Sequence, residues 1–442
     1  MSAPSLLVTA PVLPTLLRLS APNMVAMLAT ALVSVMETSY VGHLGTTALA
    51  GMALVFPLIM LQQMLSAGSV GGAISAHISR ALGAGDLARA ASLAWHATAM
   101  AVGLGSFFTV LMLGWGTEIF ALLGGRGDAV QAAWAYAQVA FAASIGIWLI
   151  NAFASICRAS GDMRTPSFTL LAVAVAQVLI GGSLGLGWGP FPAWGMHGVA
   201  AGVAIAYSAG AVFLGWRLTR AHARVRLHPH TLHGATLGPM ARTGALASMS
   251  SLQTVLTILI VTRIVAHWGP EALAGYGIGS RLEFLLVPIT FAVGVACVPL
   301  VGMALGAGKV ERARRVAWTG AALVGVVLSF AGLVAALWPD AWTLLFTQHP
   351  LVVSAAAAYF KYVGPFYGLF AVGLCLYFAS QGAGKLVGPV LAGTLRLVAV
   401  ALGGWWLLAH DANIDAMFAL IGGAMGVYGL VTAWAVWRTR WA

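Results

Sequence analysis

The sequence predicts an all-α polytopic membrane protein, with twelve transmembrane helices in two six-helix bundles related by a pseudo-twofold axis. Three observations predict it. The chain has 442 residues, of which 60% are hydrophobic and only 7% charged, with a mean hydropathy of +0.93; a soluble domain carries roughly 25% charged residues. Its apolar residues fall into runs of the ~20 residues that cross a bilayer. Its two halves repeat each other.

The expected spans lie near 16–42, 47–79, 89–115, 128–157, 165–187, 194–216, 242–267, 271–304, 313–338, 351–380, 386–409 and 415–437. Pro57 and Pro365 are expected kink sites, because proline removes a helical hydrogen bond. Pro11, Pro14, Arg18 and Pro22 interrupt the N-terminal segment, so it reads as a retained span rather than a cleaved leader. Lys and Arg set the orientation. With both termini in the cytoplasm, the cytoplasmic loops and termini hold Arg18, Arg80, Arg89, Arg158, Arg164, Arg217, Arg220, Arg224, Arg226, Arg242, Lys309, Arg312, Arg314, Arg315, Lys385, Arg438 and Arg440, while the other side keeps mainly Arg126 and Arg263. The expected location is therefore the inner (plasma) membrane, multi-pass, with membrane lipid solvating the apolar exterior.

The formal charge of +11 is spent on this asymmetry. No basic run is interleaved with aromatics, so no nucleic-acid partner is expected. Cys157, Cys297 and Cys375 lie in apolar surroundings and read as small core residues.

The repeat rests on three ordered matches. YVGHLGTTALAG at 40–51 returns as IVAHWGPEALAG at 264–275, ALGAGDLARAASLAWHA at 81–97 as ALGAGKVERARRVAWTG at 304–320, and FASICRASGDMRTP at 153–166 as FASQGAGKLVGP at 378–389. The expected organisation is an N-terminal six-helix lobe over 1–216, a cytoplasmic connector over 217–240 and a C-terminal lobe over 241–442. Six helices per copy bring both copies into the membrane in the same direction, the parallel arrangement of carriers that rock two bundles around a central cleft. A duplicated chain can enclose its own cleft, so a monomer is expected.

Ionisable groups at membrane depth are functional candidates by default, and most acids lie in loops or at span ends. The two that do not are Glu37 and Glu283. At 100° per residue, Asn23, Thr30, Ser34 and Tyr40 fall on the Glu37 face of the first span, a stripe expected to face the cleft. Burial penalises a carboxylate against its neutral acid, so Glu37 is the expected ion-coupling group. Arg281 and Glu283, two residues apart, do not face each other on a helix; Glu283 is expected to reach another helix or the cleft. Gln62, Asn151, Gln177 and Gln253 are further lining candidates, with helix–helix adhesion as the alternative for each. His228, His230 and His233 lack a carboxylate or thiolate shell and read as a solvated loop, so no metal site is expected.

Met36-Glu37-Thr38-Ser39-Tyr40-Val41-Gly42-His43-Leu44-Gly45, the ALGAG turns and SGDMRTP at 160–166 resemble the multidrug and toxic compound extrusion family over essentially the whole chain. The resemblance implies a two-lobed antiporter that works by alternating access, not an enzyme, and expels organic compounds, often cationic and amphipathic, against protons or sodium. The family usually has Asp where this chain has Glu37. Many prokaryotic members carry Asn and then an acid or Asn four residues on in the fifth helix; here those places hold Gln177 and Gly181. One carboxyl plus amides makes a poor sodium cage, so proton coupling through Glu37 is expected, with no cofactor, and sodium coupling as the alternative. Phe56 and Phe366 are expected to offer substrate-binding surface. A lipid-linked precursor flippase of related fold is a second alternative, kept open by Arg263, Arg281 and Arg396. A membrane enzyme would need clustered acids or a nucleophile with a base, and a channel would need a ring of pore charges; neither is present in the sequence.

Overall fold

A computed structural model describes residues 6–221 and 223–441, and among these there is helix and no strand. The spans are α1 (Val12–His43), α2 (Thr46–Gly83), α3 (Leu87–Leu122), a bent α4 (Asp128–Ala142 and Ser144–Ala159, 48° apart), α5 (Arg164–Leu186), α6 (Gly195–Thr219), α7 (Gly234–Trp268), α8 (Pro270–Gly306), α9 (Val310–Leu337), α10 (Pro350–Ala383), α11 (Val387–Ala409) and α12 (Ile414–Arg438). These are eleven long apolar helices, or twelve spans with α4 as one. Two compact units result. One is residues 21–244; the other is residues 245–442 with the segment that ends at Ser20. The connector residues therefore belong to the first unit, and the opening turns of α1 to the second.

The apolar exterior is visible helix by helix. On α9, Val326, Phe330 and Leu337 recur at helical spacing and stay about 70% exposed, while Ala317, Ala321, Val324 and Leu328 are buried. Such a stripe is tolerable only in lipid. At one end of α6 and α12 the same device recurs: Arg220 sits 4.4 Å over the ring of Trp216, and Arg438 sits 4.7 Å over Trp434. Aromatic and cationic groups of this kind anchor helix ends at the interface.

The repeated motifs are helix ends. Gly45 and Gly269, Gly85 and Gly308, and Gly161 and Gly384 all have positive φ, and glycine takes that conformation without a Cβ clash. After the Gly85 turn the carboxylate of Asp86 caps α3 by accepting from the Arg89 amide at 2.8 Å.

The spacing of the motifs also locates a defect. From Gly51 to Ala81 there are 30 steps, but from Gly275 to Ala304 only 29. The additional residue is absorbed in α2, where Met64–Val70 forms a π-helical turn. The matching place in α8 holds Pro288 inside a continuous helix. Pro57 lies within regular helix instead, and the α2 irregularity comes seven residues later. Pro365 does sit at a break, the 3-10 turn Gly364–Phe366. A further irregularity, at Trp115 of α3 (φ −132°), has no proline to signal it.

Close packing of α5 on α6 fixes the position of Gln177. A Cβ on Gly202 would meet the Gln177 carbonyl and the backbone of Gly181, and one on Gly198 would meet the Leu184 carbonyl. Small residues let two backbones approach in this way. Gly202→Leu should cost about 1–3 kcal/mol through overpacking, read as a lowered Tm of the detergent-solubilised protein.

Candidate functional site

The first unit builds a polar centre around Glu37. On α1, Ala29, Val33 and Tyr40 share a seam with Ala174, Val178 and Leu186 of α5. Glu37 lies between Val33 and Tyr40 at helical spacing, and Gln177 lies between Ala174 and Val178. The apolar seam thus brings the two polar side chains together. The Gln177 Nε2 amide donates to Glu37 Oε1 at 2.7 Å, and Glu37 is 7% exposed. Tyr40 is buried beside it and meets Trp188 edge-on, centroids 5.3 Å apart. Tyr136 of α4 and Tyr207 of α6 lie within electrostatic reach of the carboxyl. Among the described residues no Lys or Arg is paired with Glu37. Its charge is therefore answered by one amide and by neutral hydroxyls, and the simplest way to cancel it is to take up a proton.

A second group of polar side chains continues from Tyr207, which neighbours Gln63. Asn151 Nδ2 donates to Gln63 Oε1 at 3.3 Å and to Ser66 Oγ at 2.9 Å. Asn151 thereby ties α4 to the π-helical turn of α2. Gln62 is buried with its amide nitrogen unpartnered, and Asn23 is buried with both amide atoms unpartnered, among the described residues. Thr30 is exposed, and its hydroxyl donates to the Ala26 carbonyl at 3.0 Å, within its own helix. The side chain of Ser34 lies outside the described residues.

In the second unit Gln253 donates to Thr394 Oγ1 at 2.8 Å and to the Val390 carbonyl at 3.4 Å, joining α7 to α11. Glu283 accepts from the Tyr359 hydroxyl. It reaches across to α10, while Arg281 turns away over the ring of Phe346 at 5.3 Å. Tyr276, Tyr367 and Arg396 surround it electrostatically. Sequence reasoning did not foresee the tyrosines around either acid; spacing along one helix carries no signal of a partner supplied by another. Phe56 is 42% exposed, whereas Phe366 packs over Gly422 and Gly426 of α12.

The three cysteines are buried and free, with Cys297 Sγ and Cys375 Sγ 4.0 Å apart. In the connector the His233 amide donates to His96 Nε2 at 2.9 Å. No cluster of His, Cys, Asp or Glu able to hold a metal occurs among the described residues.

The MatE family model matches residues 22–181 and 246–406, one match in each half. Over 424 residues the chain is 23% identical to an "FAD transporter" of Shewanella oneidensis, covering 94% of this chain and 91% of that protein. It is 25% identical to a "probable multidrug resistance protein NorM" of Thermotoga maritima, covering 85% and 81%. Among solved structures, a MOP superfamily transporter from Pyrococcus furiosus superposes with a TM-score of 0.90 at 20% identity, covering 99% of this chain and 98% of that one. It is described as having a binding pocket of reverse polarity that suggests a different function. An outward-facing multidrug resistance MATE family transporter also superposes with a TM-score of 0.90 at 20% identity, covering 99% and 98%. At these identities the structural likeness shows the shared fold. The fold neighbours are transporters, not enzymes.

The Asn151 bonds carry an expectation of their own. Asn151→Leu leaves Ser66 and Gln63 without their donor in a buried place and should cost about 1–3 kcal/mol, seen as a lowered Tm; Asn151→Gln should lose less.

Proposed function

The chain belongs to the MatE family, and on that premise we propose that it is a secondary active antiporter that expels small organic compounds by alternating access, driven by protons taken up at Glu37. The observation that carries the proposal is the setting of that carboxyl: buried between α1 and α5, held by the Gln177 amide and faced by tyrosines, with no cation paired to it among the described residues. Proton rather than sodium is favoured by the donor set. Gln177 presents an N–H to Glu37, so one carboxylate is left where a hard cation needs several oxygens with net negative charge. Gln177 acts as a positioning residue, since it fixes which rotamer the carboxyl adopts. A proton on Glu37 weakens the charge-assisted hydrogen bond from Gln177 and so shifts the balance between conformations that hold α1 against α5 differently.

Relatives described as multidrug resistance proteins support broad selectivity for organic compounds, with apolar contact as the main source of affinity. The Lys and Arg asymmetry of the loops supports placement in the inner (plasma) membrane with both termini in the cytoplasm, and the duplicated chain supports a monomer.

In everted vesicles, Glu37→Gln should reduce proton-gradient-driven uptake of a cationic dye by at least about tenfold, and Glu37→Asp should retain part of it. Undiminished transport by Glu37→Gln, or a strict need for a sodium gradient, would overturn the assignment. Since the group acts by taking up a proton, wild-type transport should fall as the acidic compartment is brought toward alkaline pH, and Gln177→Leu should displace that pH profile.

A further inference from the structure

The Glu283 cluster in the second unit differs from the Glu37 cluster by one cation. Tyr276, Gly279 and Glu283 share a face of α8. Tyr359 lies against that face. A Cβ on Gly279 would strike the Tyr359 ring, so only glycine lets the ring lie there while its hydroxyl donates to Glu283. The ring meets Tyr276 at 5.7 Å and Phe418 of α12 at 5.3 Å, both edge-on.

Arg396 of α11 is half-buried, and its Cζ lies 4.8 Å over the ring of Phe370, which stands 5.6 Å from Tyr428. Glu283, Tyr276, Tyr359 and Tyr428 are within its electrostatic reach, yet its guanidinium has no hydrogen-bond partner among the described residues. Other charged groups point elsewhere. Arg281 stacks on Phe346, Lys361 and Asp415 both meet Tyr362, and Arg263 is exposed. Of the charged residues at the start of α9, Arg312 donates to the Leu7 and Ala10 carbonyls and Arg314 to the Trp437 carbonyl. Arg396 is therefore the one cation facing Glu283 among the described residues, with Tyr276, Tyr359 and Tyr367 as its neutral company.

The repeat shows what is particular to this half. Tyr136 and Tyr359 are 223 positions apart, so both lobes place a corresponding tyrosine by their acid, whereas Tyr428, 221 positions from Tyr207, lies by Arg396. Counted from the matched Pro166 and Pro389, Arg396 falls where the first repeat has Val173. A half-buried guanidinium at membrane depth, with five N–H donors and no hydrogen-bond partner among the described residues, is matched to a planar anion that brings two oxygens.

We propose that this cluster binds a small aromatic organic anion, whose carboxylate or phosphate is held by Arg396 while Glu283 takes up a proton. For a singly charged anion the exchange keeps the charge of the cluster at zero. Without ligand, Arg396 is balanced by the Glu283 carboxylate; with ligand, it is balanced by the anion, and the Glu283 proton comes from water. Phe370 and Tyr428 supply ring surface beside the guanidinium. The proposal rests on the transporter reading and names a substrate class for it.

The test is fluorescence titration of the purified protein with 2-naphthoate in phosphatidylcholine nanodiscs, without any ion gradient. Binding should strengthen from pH 8 to pH 6. Arg396→Gln should weaken it by at least about tenfold, the value of a charge-assisted hydrogen bond, and Arg396→Lys should restore part. Glu283→Gln should tighten binding at pH 8 and flatten the pH dependence, a readout that a merely structural role would not move. Equal binding by wild type and an Arg396→Gln protein of unchanged Tm would overturn the proposal. So would displacement of 2-naphthoate by added phosphatidylglycerol, which would assign the guanidinium to a lipid headgroup. Because binding is read without a gradient, a failure of coupling at Glu37 would show in vesicle transport and not here.

Discussion

A carboxyl group carried into an apolar bundle must find its polar company inside that bundle, because lipid offers none. That constraint organises both halves of this protein. Glu37 is served by Gln177 from a neighbouring helix, Glu283 by Tyr359, and Tyr136 stands by Glu37 at the place that corresponds to Tyr359. The acids themselves do not correspond. Glu37 stands on the first helix of its repeat, where the second repeat has Val261; Glu283 stands on the second helix, where the first has Ile59. The tyrosine framework is shared by the duplicated unit, and each copy has furnished it with an acid from a different direction.

The packing that holds these centres is of two kinds. Inside, glycines bring backbones together, as α5 and α6 do at Gly202 and Gly181, and buried amides such as Gln253 tie helices at single points. Outside, long apolar stripes such as Val326, Phe330 and Leu337 are exposed, and nothing but lipid makes that stable. Dispersion and a few hydrogen bonds, rather than water exclusion, hold such helices to each other.

Much of this was legible in the sequence. Hydropathy marked the spans because every spanning segment must satisfy its own backbone, and the three repeated motifs marked helix ends because each carries a glycine with positive φ. Glu37 stood out as an acid in an apolar run. Gln177 stood out as a departure from the family pattern, and it is the residue that bonds Glu37. The drift of the repeat offset by one residue foreshadowed the π-helical turn. Other features left no linear trace. Tyr359 and Arg396 are 76 and 113 positions from Glu283, and only the packing of α8, α10 and α11 brings them to it. Trp115 breaks helical geometry between Gly114 and Gly116, and there the trace was in the sequence, a glycine pair inside an apolar run. Thr30 shares the angular face of Glu37 but turns its hydroxyl back to its own helix.

The π-helical turn at Met64–Val70 of α2 and Pro288 of α8, which lies inside a continuous helix, fall at the same height of their repeats. Each leaves the backbone ladder locally incomplete, by a widened ring in one case and a missing donor in the other. A long helix bends most readily where its ladder is weakened. The duplicated unit thus loosens its second helix at one matching level by two unrelated chemical routes, while the turns on either side keep their ladder.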